Sequence, residues 1–165
     1  MQTHLQIKIK DFMNKTEQQQ KVEAYFNDKK NQTKSLLLYG PNGTGKSTSM
    51  KEYTDGMWNG SALQYASKLA EKGTGYLNRY IMHDMYIDDL GRERTTVSNF
   101  GDKINPLHDL IHYRYDIYIN HGYKTHISTN LGFKELSERY GIPIADRIKE
   151  MCGVVIDFKG ESLRK

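Results

Sequence analysis

The residues Leu36-Leu37-Leu38-Tyr39-Gly40-Pro41-Asn42-Gly43-Thr44-Gly45-Lys46-Ser47 carry the strongest signal in the chain. The aliphatic run after Ser35 reads as a buried strand, and from Gly40 the stretch matches G-x-x-x-x-G-K-[ST] at every fixed position. A proline-free helical segment over 46–53 follows. Strand, glycine-rich loop and helix in that order describe a phosphate-binding loop. Its glycines let backbone N–H groups turn inward around phosphate oxygens, beside the positive end of a helix. The expected nucleotide contacts are Pro41, Asn42, Gly43, Thr44, Gly45, Lys46, Ser47 and Thr48. Lys46 would reach the β- and γ-phosphates, and the Ser47 hydroxyl would ligate Mg²⁺. Thr48 would bond the α-phosphate through its hydroxyl or amide. The ligands expected are therefore Mg²⁺ and a nucleoside triphosphate, ATP/ADP or its guanine counterpart, since base selection lies outside the loop.

A phosphate loop serves many unrelated enzymes, so a second motif narrows the class. Met85-Tyr86-Ile87-Asp88-Asp89 is an apolar run ending in two carboxylates, 42 residues beyond Lys46. At the tip of a strand beside the first, Asp88 would hold Mg²⁺ through water or through Ser47. Asp89 would be the base or the positioner for an attacking water. Two adjacent acids suit hydrolysis better than transfer to a metabolite.

Around these motifs, short apolar runs alternate with longer helical patterns, which predicts a parallel α/β sheet. Five strands are expected at about 35–39, 61–65, 82–88, 124–129 and 154–158, in a single three-layer α/β domain spanning 35–165. Helices are expected over 46–53 and 67–79. A further one opens at Asn105-Pro106, and another runs over Phe133, Leu136 and Tyr140 to Gly141. The last runs from Pro143 to about Met151. Residues 1–34 read as a basic arm and linker, with seven Lys against four Asp or Glu and a capping box at Thr16 and Gln19. The whole chain carries a net charge of +4, with a mean hydropathy of -0.76. No run approaches the roughly 20 apolar residues of a membrane span. Charged residues through the first thirty positions exclude the apolar core of a signal peptide. One cysteine, Cys152, cannot form an internal disulfide, which fits a reducing cytoplasm. Membrane protein, secreted scaffold and fibrous repeat are excluded.

These motifs together resemble the DnaC/IstB-like branch of the AAA+ ATPases, the helicase loaders and transposition helper ATPases. The resemblance covers 35–165. Beyond the phosphate loop it rests on Tyr86-Ile87-Asp88-Asp89-Leu90-Gly91, on Thr125-His126-Ile127-Ser128-Thr129-Asn130-Leu131 and on Leu136-Ser137-Glu138-Arg139-Tyr140-Gly141. Asp146-Arg147-Ile148 and Phe158-Lys159-Gly160-Glu161-Ser162-Leu163-Arg164 complete it. It implies a P-loop NTPase of AAA+ type, in a minimal form lacking an N-terminal module and a full helical lid. It further implies catalytic roles beside Lys46, Asp88 and Asp89. Asn130 would be the sensor amide that bonds the γ-phosphate or lytic water. Arg147 would be the arginine finger reaching into a neighbouring subunit of a homo-oligomer, with Arg139 as the competing candidate. Arg164 would be a second sensor at the C-terminal end. Glu93 would either tune the catalytic acid or make a surface salt bridge. The partners implied are a replicative helicase or a transposase, with single-stranded DNA in addition.

Other features weigh less. His108 and His112 stand at i and i+4, but no third zinc ligand presents itself. The segment 114–124 interleaves Arg114, Tyr115, Tyr118, His121, Tyr123 and Lys124, a pattern that can stack on single-stranded nucleic acid or can form a core edge. Arg92, Arg94 and Lys103 offer a second candidate DNA surface. The arm near Phe12 is a candidate for adenine contacts. Two rival functions remain at this stage: an ATP-binding adaptor of negligible turnover that docks on a helicase or transposase, and a small-molecule P-loop kinase.

Overall fold

The capping box at Thr16 opens the first helix that the structure, a computed structural model, describes; the residues described are 15–30, 32–99 and 101–160, with Asn99 known by its backbone alone. The chain divides into two units, Met1–Gln32 and Thr33–Lys165. In the first, helix α1 (Glu17–Asn27) starts where the Thr16 hydroxyl accepts the Gln19 N–H and the Gln19 side chain accepts the Thr16 N–H, as the sequence predicts. Val22 is its buried residue.

The second unit is built on a five-stranded sheet. In chain order its strands are β1 (Leu36–Tyr39), β2 (Trp58–Ser61), β3 (Met85–Leu90), β6 (Thr125–Thr129) and β7 (Val154–Asp157). They lie in the order β2-β3-β6-β1-β7, and every pairing is parallel. Parallel pairing requires helical crossovers, and these are α2 (Lys46–Met50), α3 (Ala62–Lys72), α4 (Pro106–His121), α5 (Phe133–Tyr140) and α6 (Ile142–Met151). A 3-10 segment, Thr74–Tyr80, follows α3. The remaining two strands, β4 (Val97–Asn99) and β5 (Asp102–Ile104), form an antiparallel hairpin between β3 and α4.

The central strands are buried on both faces, which explains the continuous apolar run of β1, while β6 buries four polar residues that all find partners. Leu37, Ile87 and Ile127 join one core with Leu69 of α3, Leu110 and Ile111 of α4, Leu136 of α5 and Ile148 of α6. Leu36, Leu38 and Tyr86, pointing the other way along their strands, are buried as well. Among the described residues, no helix is long and apolar enough to cross a membrane.

Three expectations need correction. The second strand ends at Ser61, and 62–65 are helical instead. The Ser61 hydroxyl accepts the Gln64 N–H and the Gln64 side chain accepts the Ser61 N–H, so a capping box turns the apolar run into α3. The helix expected over 67–79 therefore begins earlier and gives way after Lys72 to the 3-10 segment. The polar loop after the acid pair contains the β4–β5 hairpin, whose short, mostly polar strands give almost no periodic signal.

Candidate functional site

The crossover pattern concentrates the chemistry. After β1 the chain jumps to the far edge at β2 and returns through β3 and β6, so the carboxyl ends of β1, β6 and β3 lie side by side. Parallel α/β sheets place ligands at such a reversal of strand order. Gly40, Asn130 and the acids of β3 all stand there. The Gly40 N–H donates to the Thr129 carbonyl at 3.2 Å, so the start of the phosphate loop is fastened to the residue before Asn130. Gly40 takes φ 145°, and a Cβ there would meet the Phe158 carbonyl oxygen at 2.3 Å. This position accepts no side chain.

Gly43 and Gly45 also take positive φ, at 81° and 95°, which curls the loop back toward α2. Lys46 is only 5% exposed, and its ammonium is held by the carbonyls of Gly40 and Pro41 at 2.6 and 2.7 Å. The Thr44 hydroxyl donates to the Pro41 carbonyl at 2.9 Å. The loop is thus braced by its own side chains, with Lys46 along its inner wall.

The two motifs meet at Asp88. The Ser47 hydroxyl donates to Asp88 Oδ1 at 2.8 Å, across 41 residues of sequence. The same oxygen accepts the Tyr86 hydroxyl at 2.7 Å and the Ser128 hydroxyl. Burial, and then the Asp88 charge, push the Tyr86 phenol well above its ordinary range, so it remains a donor. A hydroxyl and a carboxylate at the mouth of a phosphate loop are hard oxygen donors, and that set fits Mg²⁺.

Asp89 stands apart by its backbone. Its φ of 55° is the one positive value at a non-glycine among the described residues. From Ile87 to Leu90 β3 advances three positions while β6 advances two, from Ile127 to Thr129, so β3 bulges by one residue at the acid pair. The Asp89 N–H donates to Ser128 Oγ at 2.9 Å, and its carboxylate pairs with Arg92 at 2.9 Å.

Next to the acids lies a buried ionic cluster that joins two residues the sequence treats separately. The Glu93 side chain is wholly buried, accepting the Gly91 N–H at 3.0 Å, the Tyr140 hydroxyl and the Arg139 guanidinium. Arg139 also donates to the Glu93 carbonyl. Glu93 therefore makes no surface salt bridge, and Arg139 is committed within its own chain. The guanidinium of Arg147, on α6, lies over the Tyr115 ring at 5.4 Å and is half-buried. Asn130 is exposed at the tip of β6. Arg164 and Phe12 lie outside the described residues.

The other candidates separate cleanly. Arg114 is fully buried, spending its guanidinium on the carbonyls of Tyr80 and Lys124 and on the Thr125 hydroxyl, which removes it from any nucleic-acid surface. His108 and His112 face Asp109 and Asp116, and among the described residues no cluster of three or more metal-ligating side chains gathers. Cys152 is buried, and burial pushes its thiol up. Sequence reasoning missed roles for Ser128 and Tyr86. Tyr86 is a polar-tipped residue in a largely apolar strand, and Ser128 is one of four polar residues in β6, so neither stood out.

No protein-family model matches the sequence, and no curated protein does. Solved structures do match in fold. The DnaC helicase loader aligns with a TM-score of 0.57 at 20% identity, over 88% of this chain and 92% of that one. DnaI aligns with a TM-score of 0.59 at 15% identity, over 87% and 80%. The replication initiator DnaA, bound to AMPPCP and single-stranded DNA, aligns with a TM-score of 0.60 at 16% identity, over 85% of this chain and 44% of that one. The five-stranded parallel α/β fold is shared with these structures.

Proposed function

We propose that the chain is a Mg²⁺-dependent ATPase that works as a nucleotide-gated assembly in DNA replication or transposition, in the manner of a helicase loader. The observation that carries this reading is the 2.8 Å hydrogen bond from Ser47 to Asp88, because it brings the phosphate-loop helix and the acid pair to one point. In the mechanism, the loop amides around Gly43 and Gly45 hold the triphosphate, and Lys46 leaves the carbonyls of Gly40 and Pro41 for the β- and γ-phosphates. Ser47 and Asp88 would hold Mg²⁺, which when bound would supply positive charge to offset the charge developing on the phosphate oxygens. Asp89 orients water and takes its proton as the water oxygen attacks the γ-phosphorus, and the bond to the β–γ bridging oxygen breaks to leave ADP and phosphate. Asn130 bonds the γ-phosphate or that water.

Arg147 of a neighbouring copy completes the site, so the working form is a homo-oligomer. Arg139 is the weaker candidate because Glu93 already holds it. Arg164 serves as the second nucleotide sensor. The fold shared with a helicase loader and with an initiator bound to AMPPCP and single-stranded DNA supports ATP as the nucleotide. It also supports a replicative helicase as partner and single-stranded DNA as a further ligand; a transposase as the alternative partner and a cytoplasmic setting rest on the sequence motifs and the single cysteine.

The deciding experiment is phosphate release from Mg·ATP over a range of protein concentrations, with and without single-stranded DNA. Specific activity is expected to climb with concentration, because the site is finished in trans, and to rise further with DNA. Lys46→Ala should weaken both nucleotide binding and turnover. Nucleotide binding with negligible turnover under every condition would put the adaptor reading first. Turnover only with an added acceptor would put the kinase first.

A further inference from the structure

We propose that Ser128 is the positioning residue of the acid pair, a single hydroxyl that sets Asp88 and Asp89 together. The inference rests on the reading of those two acids as metal ligand and water-orienting base. Consecutive residues of a regular strand point to opposite faces, so two adjacent carboxylates cannot serve one site unless the backbone re-aims one of them. β3 does this with its extra residue and with Asp89 at φ 55°, a conformation that is costly for a residue other than glycine.

A bulge of this kind takes an N–H out of the ladder, and a buried N–H without a partner is costly. Ser128 supplies that partner: its Oγ accepts the Asp89 N–H at 2.9 Å. The hydroxyl proton of the same atom goes to Asp88 Oδ1. One oxygen therefore holds the backbone of one acid and the carboxylate of the other. Tyr86 and Ser47 add their donors to the same Oδ1, which fixes the carboxylate plane and reserves Oδ2 for ligation. Ser128 is itself fully buried on β6, between Ile127 and Thr129, so its position follows from the sheet register. Alanine would leave the Asp89 N–H without its acceptor and take away one of the three donors that hold Asp88 Oδ1.

The experiment compares Ser128→Ala, Ser128→Thr and Tyr86→Phe with the parent. It measures kcat and KM for ATP, melting temperature, and Mn²⁺ affinity by electron paramagnetic resonance in the presence of ADP. Partners that orient a metal ligand typically contribute about 10–100-fold in affinity or activity. Ser128→Ala should lose about that much in kcat and in Mn²⁺ affinity, with KM for ATP close to the parent value. Ser128→Thr, which keeps a hydroxyl, should recover most of both. Tyr86→Phe strips a donor from Asp88 and leaves Asp89 untouched, so it should weaken Mn²⁺ binding more than kcat.

Parent values of kcat and Mn²⁺ affinity in Ser128→Ala would overturn the proposal. So would equal losses in the alanine and threonine variants with matching drops in melting temperature, since packing and not the hydroxyl would then be at work. A parent that binds Mn²⁺·ADP without hydrolysing ATP would defeat the hydrolytic reading alone. The Mn²⁺ comparison would then decide Ser128 by itself. A parent that binds no metal–nucleotide would defeat both.

Discussion

Strand β6 buries five residues, four of them polar, and its two ends use them differently. At the amino end the polar groups close on structural partners. The Thr125 hydroxyl accepts Nε of Arg114 at 2.9 Å, the Thr125 N–H donates to the Ser35 hydroxyl at 2.9 Å, and His126 Nδ1 accepts the Leu36 N–H at 3.1 Å. Burial, then the charges of Lys124 and Arg114, push the His126 imidazole down to about 3, so near neutral pH it is a neutral acceptor. Burial lowers Arg114 to about 10, which leaves it charged at that pH. At the carboxyl end, Ser128 closes on both acids, beside the phosphate loop. The same kind of side chain, equally buried, pins strands together at one end and aims carboxylates at the other. What separates the two roles is the partner: a guanidinium, a hydroxyl and a backbone N–H at one end, or carboxylates that still have oxygens to offer at the other.

If this contrast is right, damage at the carboxyl end should cost turnover and damage at the amino end should cost stability. The largest effect is expected from Asp89→Asn, which should lower ATP turnover by about 10²–10⁴-fold while leaving ATP binding and melting temperature near the parent values. An unchanged turnover rate would remove Asp89 from the chemistry. Next is Arg114→Met, which leaves two buried carbonyls and a hydroxyl without their donor. A loss of about 3 kcal/mol is expected in denaturant unfolding, with the folded fraction turning over at the parent rate. A selective fall in kcat would blur the division between the ends.

The third test is pH. Below about 6.5 the unfolded chain protonates His126, while the folded chain resists until about pH 3, so its contribution to stability is lost progressively as pH falls through that window. The slope from this group should be about 1.4 kcal/mol per pH unit. It should flatten in His126→Gln, whose amide can still accept the Leu36 N–H. The smallest effect is expected from Thr129→Val, since the Thr129 hydroxyl donates to the Leu90 carbonyl at 2.7 Å and accepts the Leu131 N–H at 3.1 Å. A stability loss of about 1 kcal/mol with nearly parental kcat would place the boundary between the roles at Ser128. A large kcat effect would extend the catalytic end to Thr129.

The phosphate loop was legible because its information is contiguous: strand, glycines, lysine and hydroxyl follow one another, and each residue type has a local physical reason. Asp88 was legible for nearly the same reason, as an acid at the end of an apolar run. The second strand was misplaced because 61–65 is apolar enough for either element. What decides it is the Ser61–Gln64 capping box, a pair of hydrogen bonds three residues apart. Glu93 was left between two readings because in sequence it is one acid in a charged loop, and burial removes the surface salt bridge. Its burial depends on Arg139 and Tyr140, which arrive on α5, 46 and 47 residues later. For Arg114 the sequence left a nucleic-acid surface and a core edge both open, because its acceptors come from two distant segments, Tyr80 and the adjacent pair Lys124 and Thr125.

The sequence by itself determined that a strand, a phosphate loop and a helix come in series, that the sheet is parallel and that an acid pair follows. Each of these is set by local propensity, spacing and the absence of tight connections between strands. Only the tertiary structure decided which atoms meet: Ser47 with Asp88, Gly40 with Thr129, and Ser128 with both acids. Those meetings depend on strand order and on the single extra residue in β3. A shift of one residue in pairing reverses the face of every side chain beyond it, and no local pattern in the sequence encodes where that shift falls.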